Sequence, residues 1–188
     1  MKNLDVFAIA AHDHLVQPEE FTDIQANTSA LAILADFRSH KPPMVDGHLT
    51  ATKALAVMLA EDVQTKIVVD ESKEFIGVIG MDDLLDYNLQ LKQMALHVKR
   101  DELLVRDVMH TRASIRAIEY DQFKSASVAD VVSTLKKIHQ EYLLVVDKGA
   151  HHIRGIVSSR DIANRLHVPI KIEKELTFVD IFTAVKVY

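Results

Sequence analysis

EYLLVVDKGAHHIRGIVSSRDIANRL, residues 141–166, sets an apolar run against a charged turn, then a glycine, two β-branched residues and a helix-like segment that opens on serines and an aspartate. The same order of features occurs earlier as TKIVVDESKEFIGVIGMDDLLDY, residues 65–87. Both copies close the apolar run on Val-Val-Asp, at Asp70 and Asp147. Both place an aspartate at the start of the following segment, Asp83 and Asp161, 78 residues apart. That spacing is far longer than a solenoid repeat and suits half of a duplicated domain, whose working surface lies where the copies meet.

Upstream of each copy the match continues without a gap, with 21 residues from Thr50 to Asp70 and from Ser127 to Asp147. Ala54, Leu55, Met58 and Leu59 in the first copy, and Val128, Val131, Val132, Leu135 and Ile138 in the second, recur at helical spacing. Thr50 and Ser127 stand where a short hydroxyl can accept a hydrogen bond from a free amide of the first turn. The continuous apolar runs 66–69 and 143–146 predict strands covered on both faces. Short polar connections lead to second strands at 75–79 and 153–157, where Gly77 and Gly155 leave room for a bulge or a close approach by another backbone. Met44-Val45-Asp46 lines up with Ala117-Ile118-Glu119 as a preceding strand, with four more residues before the cap in the second copy. One unit therefore reads β-α-β-β-α, and the fold class is α/β (α+β).

The chain has 188 residues, 48% of them hydrophobic, and a formal net charge of -5. That composition can build one good core or two small ones and is not that of a disordered chain. The 22 Lys and Arg form no basic run, so nucleic acid is not expected as a partner. There is no cysteine, which excludes disulfides, thiolate catalysis and thiolate metal sites, and fits a cytoplasmic location. The apolar stretch 6–11 is too short for a secretory signal, and no membrane span is expected.

The order of elements, the paired Val-Val-Asp strands and above all GIVSSRDIANRL, residues 155–166, resemble the tandem cystathionine-β-synthase-type domain, the CBS pair or Bateman module. The resemblance covers roughly residues 18–170, and VRDVMHTR, residues 105–112, is similar to the short helix that opens such a motif. The second copy meets the family signature of Gly, two aliphatics, Ser or Thr, two variable residues and Asp. The first keeps Asp83 but has Gly80 where Ser or Thr is usual. Ile67 and Leu144 replace the family's common proline. The resemblance implies duplicated units packed as a pseudo-twofold pair with two clefts between them, and AMP, ADP, ATP or S-adenosylmethionine as a regulatory ligand, with no cofactor required. It also implies a homodimer formed through helices. The domains expected are an N-terminal extension at 1–17, a first motif with its connecting helix at 18–100, a second motif at 101–170, and a closing segment at 171–188.

The resemblance also names site residues. Asp161 would accept the ribose hydroxyls, Ser158 would hold sugar or phosphate, Arg160 would pair with phosphate charge, and a helix starting near Ser159 would favour an anion. Leu144 and Ile118, with Tyr142 nearby, would flank the adenine. Asp83 is the counterpart in the first copy, with Asp82 beside it repelling phosphate. A plain helix cap explains the serines and Asp161 equally well, and at Asp83 capping is the default. His12 and His14, and His151 with His152, lack a carboxylate or thiolate at ligand spacing, so no metal site is expected. Leu84, Leu91, Met94 and Val98 form a stripe expected to pack on the partner repeat or a second subunit. No nucleophile elbow, P-loop or HExxH occurs. The expectation is a non-enzymatic regulatory module acting on an unidentified protein partner, stronger at Ser158 and Asp161 than at Asp83. The alternative is a dimerising scaffold whose clefts take no ligand.

Overall fold

A computed structural model of the chain describes residues 24–167 and 169–172. His12 and His14, the extension at 1–17 and the closing segment after residue 172 lie outside the described residues. Each unit begins with a strand, β2 (Met44–Asp46) or β6 (Arg116–Glu119). Each then runs through a helix, α1 (Ala51–Ala60) or α5 (Val128–Lys137), into a hairpin, β3 (Thr65–Val69) with β4 (Phe75–Gly80) or β7 (Tyr142–Asp147) with β8 (His152–Ser158). The four extra residues of the second copy are taken up by α4 (Tyr120–Lys124). The units close on helices: α6 (Ser159–Leu166) in the second, and a 3₁₀ turn (Met81–Leu84) followed by α2 (Asp86–Leu96) in the first.

The capping expected at both helix starts is present. Thr50 Oγ1 accepts from the Lys53 amide at 3.4 Å. Ser127 Oγ accepts from the Asp130 amide at 3.2 Å, while Asp130 returns the bond from the Ser127 amide at 2.9 Å. The aspartate of each Val-Val-Asp shapes the hairpin turn: Asp70 Oδ1 accepts from the amides of Ser72 and Glu74, both at 2.9 Å, and Asp147 Oδ1 from that of Ala150 at 3.1 Å. Left-handed residues occur at matching places, Asp62 and His139 after the helices and Lys73 and His151 in the turns, so the repeat extends to backbone conformation.

Strands β2 and β6 run parallel to β3 and β7, which is why a helix must intervene, and the hairpins are antiparallel. Two further strands come from the short segments that lead into each unit. β1 (Ala35–Asp36) pairs with β8, and β5 (His110–Thr111) pairs with β4. Each sheet therefore takes its edge strand from the segment preceding the other unit, giving the orders β1-β8-β7-β6 and β2-β3-β4-β5. Gly77 and Gly155 meet both expectations: a bulge sits beside each, and a Cβ would collide with the carbonyl oxygen of His110 or Ala35 on the crossing strand.

The helical lead-ins cross in the same way. Ala30 and Ile33 are buried in the second unit's core with Phe123, Leu135 and Ile162; Val105 and Val108 of α3 (Val105–Val108) are buried in the first unit's core with Met58, Ile79 and Leu89. The amides of Val128 and Ala51 donate to the carbonyls of Thr28 and Leu103, each at 2.8 Å, fastening both crossings alike. Between the two sheets lies a third cluster, with Ile67, Val69 and Val78 of one sheet against Tyr142, Leu144 and Ile156 of the other. The intervening residues Val68, Leu143 and Val145 turn outward to the helices. The stripe expected from Leu84 to Val98 is not one helical face. The chain is extended at Leu85, α2 buries Leu89, and Met94 is 74% exposed.

Candidate functional site

At the end of β8, Ser158 is buried and its Oγ accepts from the amides of Arg160 at 3.2 Å and Asp161 at 3.4 Å, so this hydroxyl caps α6. Asp161, one turn on, keeps much of its surface open to solvent at a recess of about 190 Å³ lined by Ala35, Phe37, Pro43, Thr65, Ile67 and Ile156. Protein crowding around the carboxyl raises its pKa, against the pull of Arg160 and Arg165. A second recess of about 230 Å³ lies on the other side of the helix start, lined by Asp82, Glu141, Ser158, Ser159 and Ile172. Gln64 lines the first recess and Asp82 the second, and the Arg160 guanidinium donates to both. Arg160 and Asp82 occupy the same position in the two repeats, 78 residues apart.

The matching place in the first unit is built from larger side chains. Strand register equates Thr65 with Tyr142, since they face Gly80 and Ser158, and equates Ala35 with His110, since they face Ile156 and Val78. Tyr142 is buried, and its hydroxyl lies where a Cβ on Gly80 would be. The phenol hydrogen-bonds with Thr65. Burial, reinforced by the nearby carboxylates of Asp83, Glu141 and Asp82, pushes its pKa far above the usual value. The His110 ring meets Tyr142 edge-on at 5.3 Å, and His110 Nε2 lies 3.0 Å from Asp83 Oδ1. Asp83 Oδ2 accepts from the Gly80 amide at 2.8 Å. Both carboxylate oxygens of Asp83 are thus engaged, and two rings take the space that Ala35 and Thr65 leave open in the other half. The recess that remains beside Asp83 opens instead toward α2 and α3, past Asn88 and Lys92.

Three expectations change on this geometry. Leu144 and Ile118 do not flank a common space. Ile118 stands beside Val145 in register and packs outward on the second unit's core, whereas Leu144 packs between the sheets. Tyr142 extends away from Asp161 toward Gly80, Asp83 and His110. Asp82 is bound to Arg160 across the two halves, so neither charge is simply available to a phosphate. Ser158, Arg160 and Asp161 are brought together as expected. Ala35, Phe37, Gln64 and Thr65 line the recess without a signal in the sequence, and Ala35 reaches it only by pairing with the other unit's β8.

The family model for the CBS domain matches this chain twice, at residues 34–89 and 105–168. The chain is a CBS-domain protein. Its two motifs form a tandem CBS pair. Among solved structures, a hemolysin-like protein containing a CBS domain from Oenococcus oeni is similar with a TM-score of 0.51 at 19% identity, over 75% of this chain and 91% of that one. The CBS domain of a bacterial CNNM/CorC family Mg2+ transporter gives 0.52 at 18% identity, over 83% and 88%. An uncharacterized conserved protein from Pyrococcus horikoshii gives 0.54 at 11% identity, over 80% and 100%. At these identities the likeness is one of fold. No curated protein sequence matches the chain. Among the described residues no group of three or more His, Asp or Glu is placed to hold a metal ion, and no helix is long and apolar enough to cross a membrane.

Proposed function

We propose that this CBS pair is a regulatory module that binds an adenosine-containing ligand in the cleft carrying Asp161 and passes the change to a partner, without chemistry of its own. What supports the reading is the asymmetry between equivalent places: Ala35 and Thr65 leave a recess between the sheets at Asp161, whereas His110 and Tyr142 take the equivalent space at Asp83, whose remaining recess of about 260 Å³ opens toward α2 and α3 instead. A base would lie against Phe37, Ile67 and Ile156, and Asp161 would accept ribose hydroxyls. The assembly we propose is a homodimer formed through helices, since Leu59, Tyr87 and Met94 expose large apolar surface on α1 and α2.

Titration with AMP, ADP, ATP and S-adenosylmethionine, followed by calorimetry and thermal unfolding, tests the reading, because a ligand that binds only the folded state raises its stability. Asp161→Ala should weaken binding by about 10- to 100-fold, the worth of charged hydrogen bonds to a hydroxyl pair. Asp83→Ala should lower the melting temperature, by orphaning the Gly80 amide and removing one partner of His110, and leave affinity nearly unchanged. Equal losses of affinity in the two variants would overturn the asymmetry. No binding by the folded chain would favour a second reading, a dimerising scaffold, for which the two rings occupying the space beside Asp83 already speak.

A further inference from the structure

Negative charge that a ligand brings to the cleft at Asp161 has to be met by side chains, because the opening amides of α6 are already taken. The Ser159 amide donates to the Glu141 carbonyl at 2.9 Å, and those of Arg160 and Asp161 donate to Ser158 Oγ. Burial raises the pKa of the Asp161 carboxyl while the guanidinium groups of Arg160 and Arg165 oppose the rise, so both stand near the recess. Arg165 is partly buried and donates to the Ala32 carbonyl on the crossing lead-in. Arg160 is exposed, and its two partners, Gln64 Oε1 at 3.3 Å and Asp82, belong to the first unit. Gln64 directly precedes β3 and Asp82 follows β4, so this one side chain joins α6 to both ends of the first hairpin. Gln64 also lines the recess that holds Asp161, which places the guanidinium at its edge. Neither partner holds it strongly: the bond to Gln64 is long, and the ion pair with Asp82 is exposed on both sides. A phosphate matches the guanidinium fork with two oxygens and competes with both.

Resting on the adenosyl reading above, we infer that Arg160 is a latch between the two halves which a ligand's phosphate opens. In the empty cleft it ties α6 to Gln64 and Asp82; in the filled one it turns to the phosphate and releases the first hairpin. A nucleotide then signals through a contact that the bare nucleoside leaves closed, and Asp82 sets how readily the latch opens. Because the phosphate binds one arrangement of Arg160 and not the other, the coupling of ligand to shape has a physical source.

Calorimetric titration of the full chain with AMP and with adenosine, in the wild type, Asp82→Asn, Arg160→Ala and the double variant, measures the competition. Asp82→Asn should tighten AMP about two- to fivefold, the worth of an exposed ion pair, and leave adenosine unchanged. In the Arg160→Ala background the same substitution should move AMP by about 1.5-fold at most. The Nε–Hε NMR signal of Arg160, assigned by its loss in Arg160→Ala, should shift with AMP and hold its position with adenosine. An equal gain for AMP in both backgrounds would show Asp82 acting as a bare charge, and no gain in either would show that nothing competes for Arg160. Each of those results overturns the latch and leaves the adenosyl cleft intact, as does an Arg160 signal that adenosine shifts as far as AMP. Failure of both AMP and adenosine to bind the folded chain would overturn the adenosyl reading and this inference together.

Discussion

Gly80 and Tyr142 together decide how the space beside Asp83 differs from that beside Asp161. Gly80→Ser would restore the hydroxyl found at Ser158 but drive its Cβ into the Tyr142 oxygen, so the variant should lose about 1–3 kcal/mol in urea unfolding. Tyr142→Phe removes that oxygen at the cost of its bond to Thr65, about 1 kcal/mol. The double variant should lose less than the sum, because the two changes share one space. Additive losses would mean that the ring simply swings away. Much of this was legible in the sequence. GIVSSRD announced Ser158, Arg160 and Asp161, and Gly80 stood out as a missing hydroxyl. The reason for the glycine was hidden because the ring that requires it comes from the other repeat. The opposite facing of Ile118 and Leu144 was hidden too, since period-two alternation orders residues along a strand without setting the register of its neighbour.

Among the elements, β1 is the least self-sufficient, with two residues and no periodicity to reveal it. It is held on β8 by its own pairing, by the Phe37 amide donating to the Arg154 carbonyl at 2.9 Å, and by two bonds from the Arg154 guanidinium to Asp36 at 2.7 and 2.8 Å. Arg154 also lies over the Tyr120 ring, 4.3 Å from its centre. The guanidinium holds the Asp36 carboxyl down at about 2, below its ordinary 3.8. A carboxyl depressed on folding stabilises the protein above its unfolded value and loses that contribution as pH falls through the folded one. The pair should therefore be worth about 1–2 kcal/mol above pH 4 and fade between about pH 4 and 2. Asp36→Asn should show this loss at neutral pH and a smaller difference from the wild type near pH 2, measured by urea unfolding across the range. A constant difference would show that the carboxylate charge contributes nothing. The helices and hairpins around β1 were readable from caps and apolar runs because their signals are local, whereas β1 is defined by what it crosses to reach.

At the scale of the whole molecule, the crossings make the two motifs one folding unit. Residues 24–98 alone lack Leu103, Val105 and Val108, and the remainder lacks Ala30 and Ile33, so each fragment has a core open on one side. Split between 99 and 102, the fragments should lack cooperative unfolding when separate and regain native-like circular dichroism and a sharp transition when mixed. Cooperative unfolding of either fragment by itself would show that the crossings are dispensable. The duplication was plain from sequence, but its interlocking was not, because a repeat identifies equivalent segments without saying which copy each segment completes.

The crossed lead-ins also constrain how the protein is made. Ala30 and Ile33 leave the ribosome well before the pocket that covers them is finished, since it needs Ile162. At about 5–20 residues per second, that wait is on the order of ten seconds. During it an apolar segment and the unpaired edge of β1 stand uncovered, while the first motif can already close once Val108 has emerged. In the nascent chain this lead-in therefore precedes the residues that protect it, which makes it the natural place for a holding chaperone to bind.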